Sequence, residues 1–274
     1  MHSSYSGTGL VMPSVEPSQE SAAPTGTVSR ALRMLTLLAD AETPVTIKQV
    51  ATQMGLAPST AHRLLGLLKE EGFVVDVPQT RSYAIGPQFY RVSARVLNST
   101  KHMEFIQKVL ENICRTYNET VLFGQYIPTS GSLSFDCRRD GQQNLLYQIE
   151  MHKPLSLVWG ASGKAILAYL PEHIAADILA REGNAPGNNL PPPDWLTLRQ
   201  QLLDIKRTGY CVSHGEKLPG SRGIAVPVFD RSGVIGSICL TAPQTRQLNA
   251  DIHEIGQNLA KQARQLSHDL GAEQ

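Results

Sequence analysis

Pro58-Ser-Thr-Ala-His-Arg-Leu-Leu-Gly-Leu-Leu-Lys-Glu-Glu71 is the stretch on which the reading of the N-terminal domain turns. At about 100° of rotation per residue, Ala61, Leu64, Leu65 and Leu68 fall on one side of a helix. Ser59, His62, Arg63 and Gly66 fall on the other. The first set suits the core of a small helical domain. The second presents a hydroxyl, an imidazole and a guanidinium near a helix N-terminus, where a recognition helix meets base edges and phosphates. Pro58 suits the first helical position, because its missing N–H has no partner there in any case. Taken alone, this pattern also fits an ordinary amphipathic helix with a solvated face.

The flanks favour DNA. Upstream, Val28, Leu32, Leu35 and Ala39 recur at helical spacing with Thr27 available as a cap, and residues 41–44 break the pattern. A second helix follows with Thr46 as its cap, an apolar face of Ile47, Val50, Ala51 and Met54, and Gly55 where a helix ends. Downstream, residues 73–77 and 82–85 read as strands joined by a turn at 78–81, so Arg81 sits like the tip of a wing. The order is that of a winged helix-turn-helix. Arg63 can grip guanine bidentately, while Ser59 and Thr60 can donate to phosphates. From residue 26 to residue 87, six Lys/Arg stand against five Asp/Glu, so the basic groups must act by clustering.

The remainder extends this frame. Residues 87–99 form a helical connector whose Phe89, Val92, Val96 and Leu97 make an apolar stripe able to pair across a two-fold axis. Helices are expected at 102–117, 162–169, 172–180, 195–208 and 251–270. Strands are expected at 120–127, 133–137, 145–149, 223–229 and 234–241. This is an α+β chain whose second domain is an antiparallel sheet with flanking helices. The expected layout is a disordered tail (1–25), a winged helix-turn-helix (26–87), a helical linker (88–101) and an α+β domain (102–272).

Composition narrows the class. With 274 residues, 41% of them hydrophobic, the chain can build full cores, and its net charge of +1 does not announce nucleic acid in bulk. Four scattered cysteines without metal-ligand spacing read as thiols of a reducing cytosol. No window approaches the roughly 18 apolar residues of a membrane span, and the Ser/Pro/Gly-rich start lacks the pattern of a signal peptide. Gly160-Ala-Ser-Gly-Lys164 fails as a phosphate loop, since Val158 and Ala165 stand at positions that need Gly and Ser/Thr. The histidines at 152, 173, 214, 253 and 268 are isolated, so no metal site or cofactor is expected. A metabolic enzyme using the second domain would need a nucleophile–base or metal constellation, and none is visible. A winged helix serving only as a protein-docking module fits less well with an Arg-bearing polar face.

In its motifs the chain resembles the IclR family of bacterial transcriptional regulators. The N-terminal motif comprises Ser29-Arg-Ala-Leu32, Val50-Ala51, Gly55-Leu56, Ser59-Thr-Ala-His-Arg-Leu-Leu65 and Tyr83-Ala-Ile-Gly86. The C-terminal motif comprises Gly163-Lys-Ala-Ile-Leu-Ala168, Gly209-Tyr210, Glu216, Gly220 and Ile224-Ala-Val-Pro-Val228. The resemblance implies a GAF-like effector-binding domain, homodimers or dimers of dimers on double-stranded operator DNA, and control by a small organic acid, often aromatic. It also implies that Ser213, Cys239 and Thr241 lie on strands facing the effector cavity. Gly160-Ala161-Ser162-Gly163 lies at the start of a helix whose N–H groups could receive a carboxylate, and Trp159 could stack on an aromatic ring, serve the core or make a subunit contact. Lys164 is expected on the helix surface, and Glu216 in a turn or as a hydrogen-bond anchor.

Overall fold

The computed structural model describes residues 26–99, 101–143 and 147–272. The expected tail, the side chains of Leu97 and Lys101, and Leu145 of an expected strand lie outside them. The described chain divides into two compact units, with the boundary at Val96/Leu97.

The first unit is built on three helices and a hairpin. These are α1 (Thr27–Asp40), β1 (Val45–Thr46), α2 (Ile47–Met54), α3 (Pro58–Glu70), β2 (Val74–Val77), β3 (Ser82–Ile85) and the start of α4 (Pro87–Ser99). Thr46 and Gln49 close a reciprocal capping box at the start of α2, and Gly55 ends that helix in the left-handed region at φ 62°. Ala61, Leu64 and Leu65 of α3 are fully buried against Met34, Leu38 and Val50. Two expectations fail at α1. Its cap position is Gly26 without a side-chain bond, and Thr27 is already helical. Its buried residues are Met34, Leu35 and Leu38, whereas Val28 and Leu32 are exposed. The helix carries apolar residues on more than one face, and packing against α2 and α3 selects only one of them.

In the second unit α5 (Lys101–Tyr117) leads into β4 (Thr120–Ile127), β5 (Ser132–Arg139) and β6 (Leu155–Ser156). Helices α6 (Gly160–Leu167), α7 (Glu172–Ala180) and α8 (Trp195–Thr208) follow, then β7 (Cys211–His214), β8 (Ser221–Asp230), β9 (Gly233–Pro243) and α9 (Ile252–Asp269). The six strands form one sheet in the order β6-β5-β4-β9-β8-β7, antiparallel throughout. Strand alternation splits the core in two. Leu122, Ala225 and Cys239 point to the side covered by α6, α7 and α8. Val121, Phe123, Val226 and Leu240 point to the side covered by α5 and α9. Over its described residues the expected strand at 145–149 does not form: residues 147–150 have no regular structure, and the strand at that edge of the sheet is β6, paired through Leu133 and Leu155. Ile149 is buried by the core without a ladder, so its apolar alternation reports burial and not pairing.

Candidate functional site

The first candidate surface is the outer face of α3. Ser59, His62 and Arg63 are exposed and Thr60 is half-buried. Burial of Ala61, Leu64 and Leu65 fixes which face this is. Adding a Cβ to Gly66 would meet nothing within 4 Å, so the surface beside Arg63 is flat and open. Arg81 is exposed in the β2–β3 turn and takes a left-handed backbone at φ 49°. That conformation is uncommon for a non-glycine residue and projects the side chain from the hairpin tip. Nearby, Lys69 pairs with Asp76, which ties the end of α3 to β2.

The second candidate site is a cavity of about 160 Å³ between the sheet and the start of α6. Of the residues expected there, Gly160, Ala161, Ser213, Cys239 and Thr241 line it. Trp159 does not. It is buried in the core, and its indole N–H donates to the Gly183 carbonyl at 3.0 Å. The ring therefore braces the 183–186 loop instead of facing a ligand. Leu122, Phe135, Ile149 and Leu155 supply the apolar wall, and Ser162, Lys217 and Ser221 add polar groups. Gly223 lies beneath the same floor, where a Cβ would come 3.1 Å from the Ser213 hydroxyl, 3.3 Å from Ala161 Cβ and 3.6 Å from the Cys239 sulfur.

The start of α6 is occupied by the protein's own groups. The Gly160 N–H donates to Glu216 Oε2 and the Ala161 N–H donates to Ser213 Oγ, each at 2.8 Å. The expectation that these two donors wait for a ligand carboxylate is thereby corrected. Lys164 is also not on the surface: it is buried, with its ammonium 2.8 Å from Glu216 Oε1. One carboxylate thus anchors both the first turn of α6 and the lysine a turn later. Gly163 makes this packing possible, since a Cβ there would stand 2.6 Å from the Leu157 backbone.

Burial pushes the Cys239 thiol up against the opposing influence of Ser162 and Thr241, which keeps it protonated. Lys217 moves the other way, to about 8, because burial penalises its charge. Sequence reasoning missed Lys217. It sits in the irregular segment between β7 and β8, where neither helical nor strand periodicity flags a residue. Among the described residues, no group of His, Cys, Asp and Glu is arranged to hold a metal ion, and no helix is long and apolar enough to cross a membrane.

A helix-turn-helix with a polar α3 face, followed by a separate antiparallel-sheet domain, defines a two-domain transcriptional regulator. The model of the IclR helix-turn-helix domain matches residues 27–78, and that of the bacterial transcriptional regulator IclR C-terminal domain matches residues 94–268. The chain belongs to the IclR family. It is 25% identical to the transcriptional repressor IclR of Escherichia coli K12 over 270 residues, covering 93% of this chain and 95% of that protein. With the regulator BhcR of Paracoccus denitrificans it shares 25% identity, over 89% of this chain and 86% of that one. A crystal structure of an IclR transcriptional regulator from Silicibacter sp. TM1040 superimposes with a TM-score of 0.81 at 25% identity, covering 90% of this chain and 97% of that chain. An IclR homolog from Microbacterium hydrocarbonoxydans, solved in complex with 4-hydroxybenzoate, has the same fold. Its TM-score is 0.70 at 18% identity, covering 89% of this chain and 100% of that one. The relatives are named as regulators, which sets aside the metabolic-enzyme reading.

Proposed function

We propose that the protein is a cytoplasmic regulator that binds double-stranded operator DNA as a homodimer, alone or paired into a dimer of dimers, under control of a small aromatic acid. Residues 26–87 are the DNA-binding domain, 88–101 the linker and 102–272 the effector domain. The carrying observation is the two-sided α3, whose buried Ala61, Leu64 and Leu65 leave Ser59, His62 and Arg63 facing outward. Thr60 and Arg81 complete the contact surface. Whether binding represses or activates depends on where the operator lies relative to polymerase.

The cavity supports the effector half of the reading. It is small, mostly apolar and edged by a few polar groups, as ligand sites usually are. The relative that holds 4-hydroxybenzoate shares the fold. Ligand binding shifts an equilibrium between dimer geometries that fit or misfit two half-sites.

Gel-shift titration against the gene's own upstream region tests the DNA half. Wild-type protein shifts it in a salt-dependent manner. Arg63→Ala loses about 1–3 kcal/mol of specific binding, and Arg81→Ala lowers affinity on all sequences and the salt slope by about 1. Circular dichroism of both variants stays at wild type. Undiminished operator affinity in Arg63→Ala removes the recognition-helix assignment.

A further inference from the structure

We infer that Lys217 selects anionic ligands for the cavity, its ammonium holding the carboxylate of a single-ring acid whose ring lies on Leu122, Phe135 and Ile149. The inference rests on the cavity being the effector site. Three observations support it.

First, part of the usual source of positive potential is already used. The first two N–H groups of α6 are bonded to Glu216 and Ser213, so an incoming carboxylate finds those donors taken. Second, Lys217 is the cation in the cavity wall, and it is under-bonded. Its Nζ donates to the Ser156 carbonyl at 3.0 Å, which is its one hydrogen bond among the described residues, and an ammonium has three donors. The neighbouring carboxylates are engaged elsewhere. Glu216 holds Lys164 and Gly160, and Glu182 accepts from the Ser156 hydroxyl at 2.7 Å. Glu150, the acidic residue of the described wall, is exposed and pairs with Lys153. Third, the lysine stem lies along the first residue of α6, in van der Waals contact range. Gly160 has φ 80°, and a Cβ there would approach Lys217 Cβ to 3.4 Å and Cε to 3.5 Å.

Volume sets the ligand's size. A dry cavity of about 150 Å³ accepts one benzene ring, and this one has about 160 Å³. That suits a monocyclic monocarboxylate better than a fused-ring or chain-extended acid.

Calorimetry with benzoate and 4-hydroxybenzoate, each against its uncharged amide, tests the assignment on wild-type, Lys217→Met and Lys217→Arg proteins. The acids bind wild type, and the amides bind about 10- to 100-fold more weakly, the worth of one charge-assisted hydrogen bond. Lys217→Met loses that preference and Lys217→Arg restores it. Wild-type affinity for the acids is full below pH 8 and declines as pH rises through about 8, where the ammonium deprotonates. Glu182 and Glu216 also act on this lysine, and both favour its charged form, as Cys239 would only as a thiolate. In Lys217→Arg the decline is absent, because a guanidinium does not titrate there. The acid–amide comparison and the pH profile are read on wild-type protein and do not depend on the fold of any variant. Equal binding of acid and amide, or an undiminished preference in Lys217→Met, overturns the role of Lys217 and leaves the effector site standing. Failure of every acid to bind wild type overturns both.

Discussion

Glu216 joins parts of the chain that are far apart in sequence, bonding the Gly160 N–H with one oxygen and the Lys164 ammonium with the other. Lys164 has a side chain only 7% exposed, and this carboxylate is its ion-pair partner. Removing the carboxylate strands a buried cation, which costs more than the pair itself contributes. Glu216→Ala therefore lowers unfolding stability by about 3 kcal/mol, at the lower end of the usual range because Glu216 is partly solvated. Adding Lys164→Met to that variant restores most of the loss. Urea unfolding of the single and double variants checks this, and a double variant no more stable than Glu216→Ala would remove the pair from the account. Sequence reading put Lys164 at the surface because a helical lysine is usually solvated. Its partner lies 52 positions away, beyond the reach of any local spacing rule. Glu216, in contrast, was expected to anchor hydrogen bonds, and it does.

Among the elements, those with local chemical punctuation were the most legible. Thr46, Gly55 and Pro58 bracket α2 and open α3, and all three occupy the expected positions. The capping box gives Thr46 a measurable part: Thr46→Ala costs about 1 kcal/mol of stability. Thermal melts of this variant read the cost, and a midpoint at the wild-type value would show that the box contributes nothing. Helices α7 and α8 and strand β4 likewise have the expected bounds. Elements without such signals were harder. The two residues of β1 are too few to show a period, and they exist because Val45 and Thr46 pair with Tyr83 and Ser82. The expected strand at 145–149 failed for the complementary reason, since apolar alternation fits any segment lying half-buried on a core. The cavity shows the same division. Ser213, Cys239 and Thr241 came from family resemblance, and all three line it. Lys217 required the folded chain.

For the molecule as a whole, the question is how one short α3 reaches useful specificity. A single winged helix reads few base pairs, so two copies on a two-fold axis are expected. Val92 and Val96 on α4 are 39% and 58% exposed, while Phe89 packs edge-on against Phe73 of its own domain. Phe89 of the expected stripe thus serves its own unit. Sedimentation at micromolar concentration is expected to show a dimer or a larger assembly. On DNA, two half-sites should lie a whole number of helical turns apart, each about 10 base pairs. Inserting about half a turn between them places the second half-site on the opposite side of the duplex and abolishes tight binding. A monomer that binds with full affinity, or indifference to the insertion, would exclude the paired arrangement.

Gly223 is already surrounded by Ser213, Ala161 and Cys239, and a methyl there would protrude into the cavity floor at contact distances of 3.1 to 3.6 Å. Its backbone is ordinary strand, paired with Ser213 on one side and Thr241 on the other, so a side chain adds no φ/ψ strain and only the Ser213 hydroxyl and Ala161 methyl must give way slightly. The shape of the cavity and the architecture of the sheet are therefore separately inherited in this protein. One codon can narrow the cavity while the strand around it keeps its register.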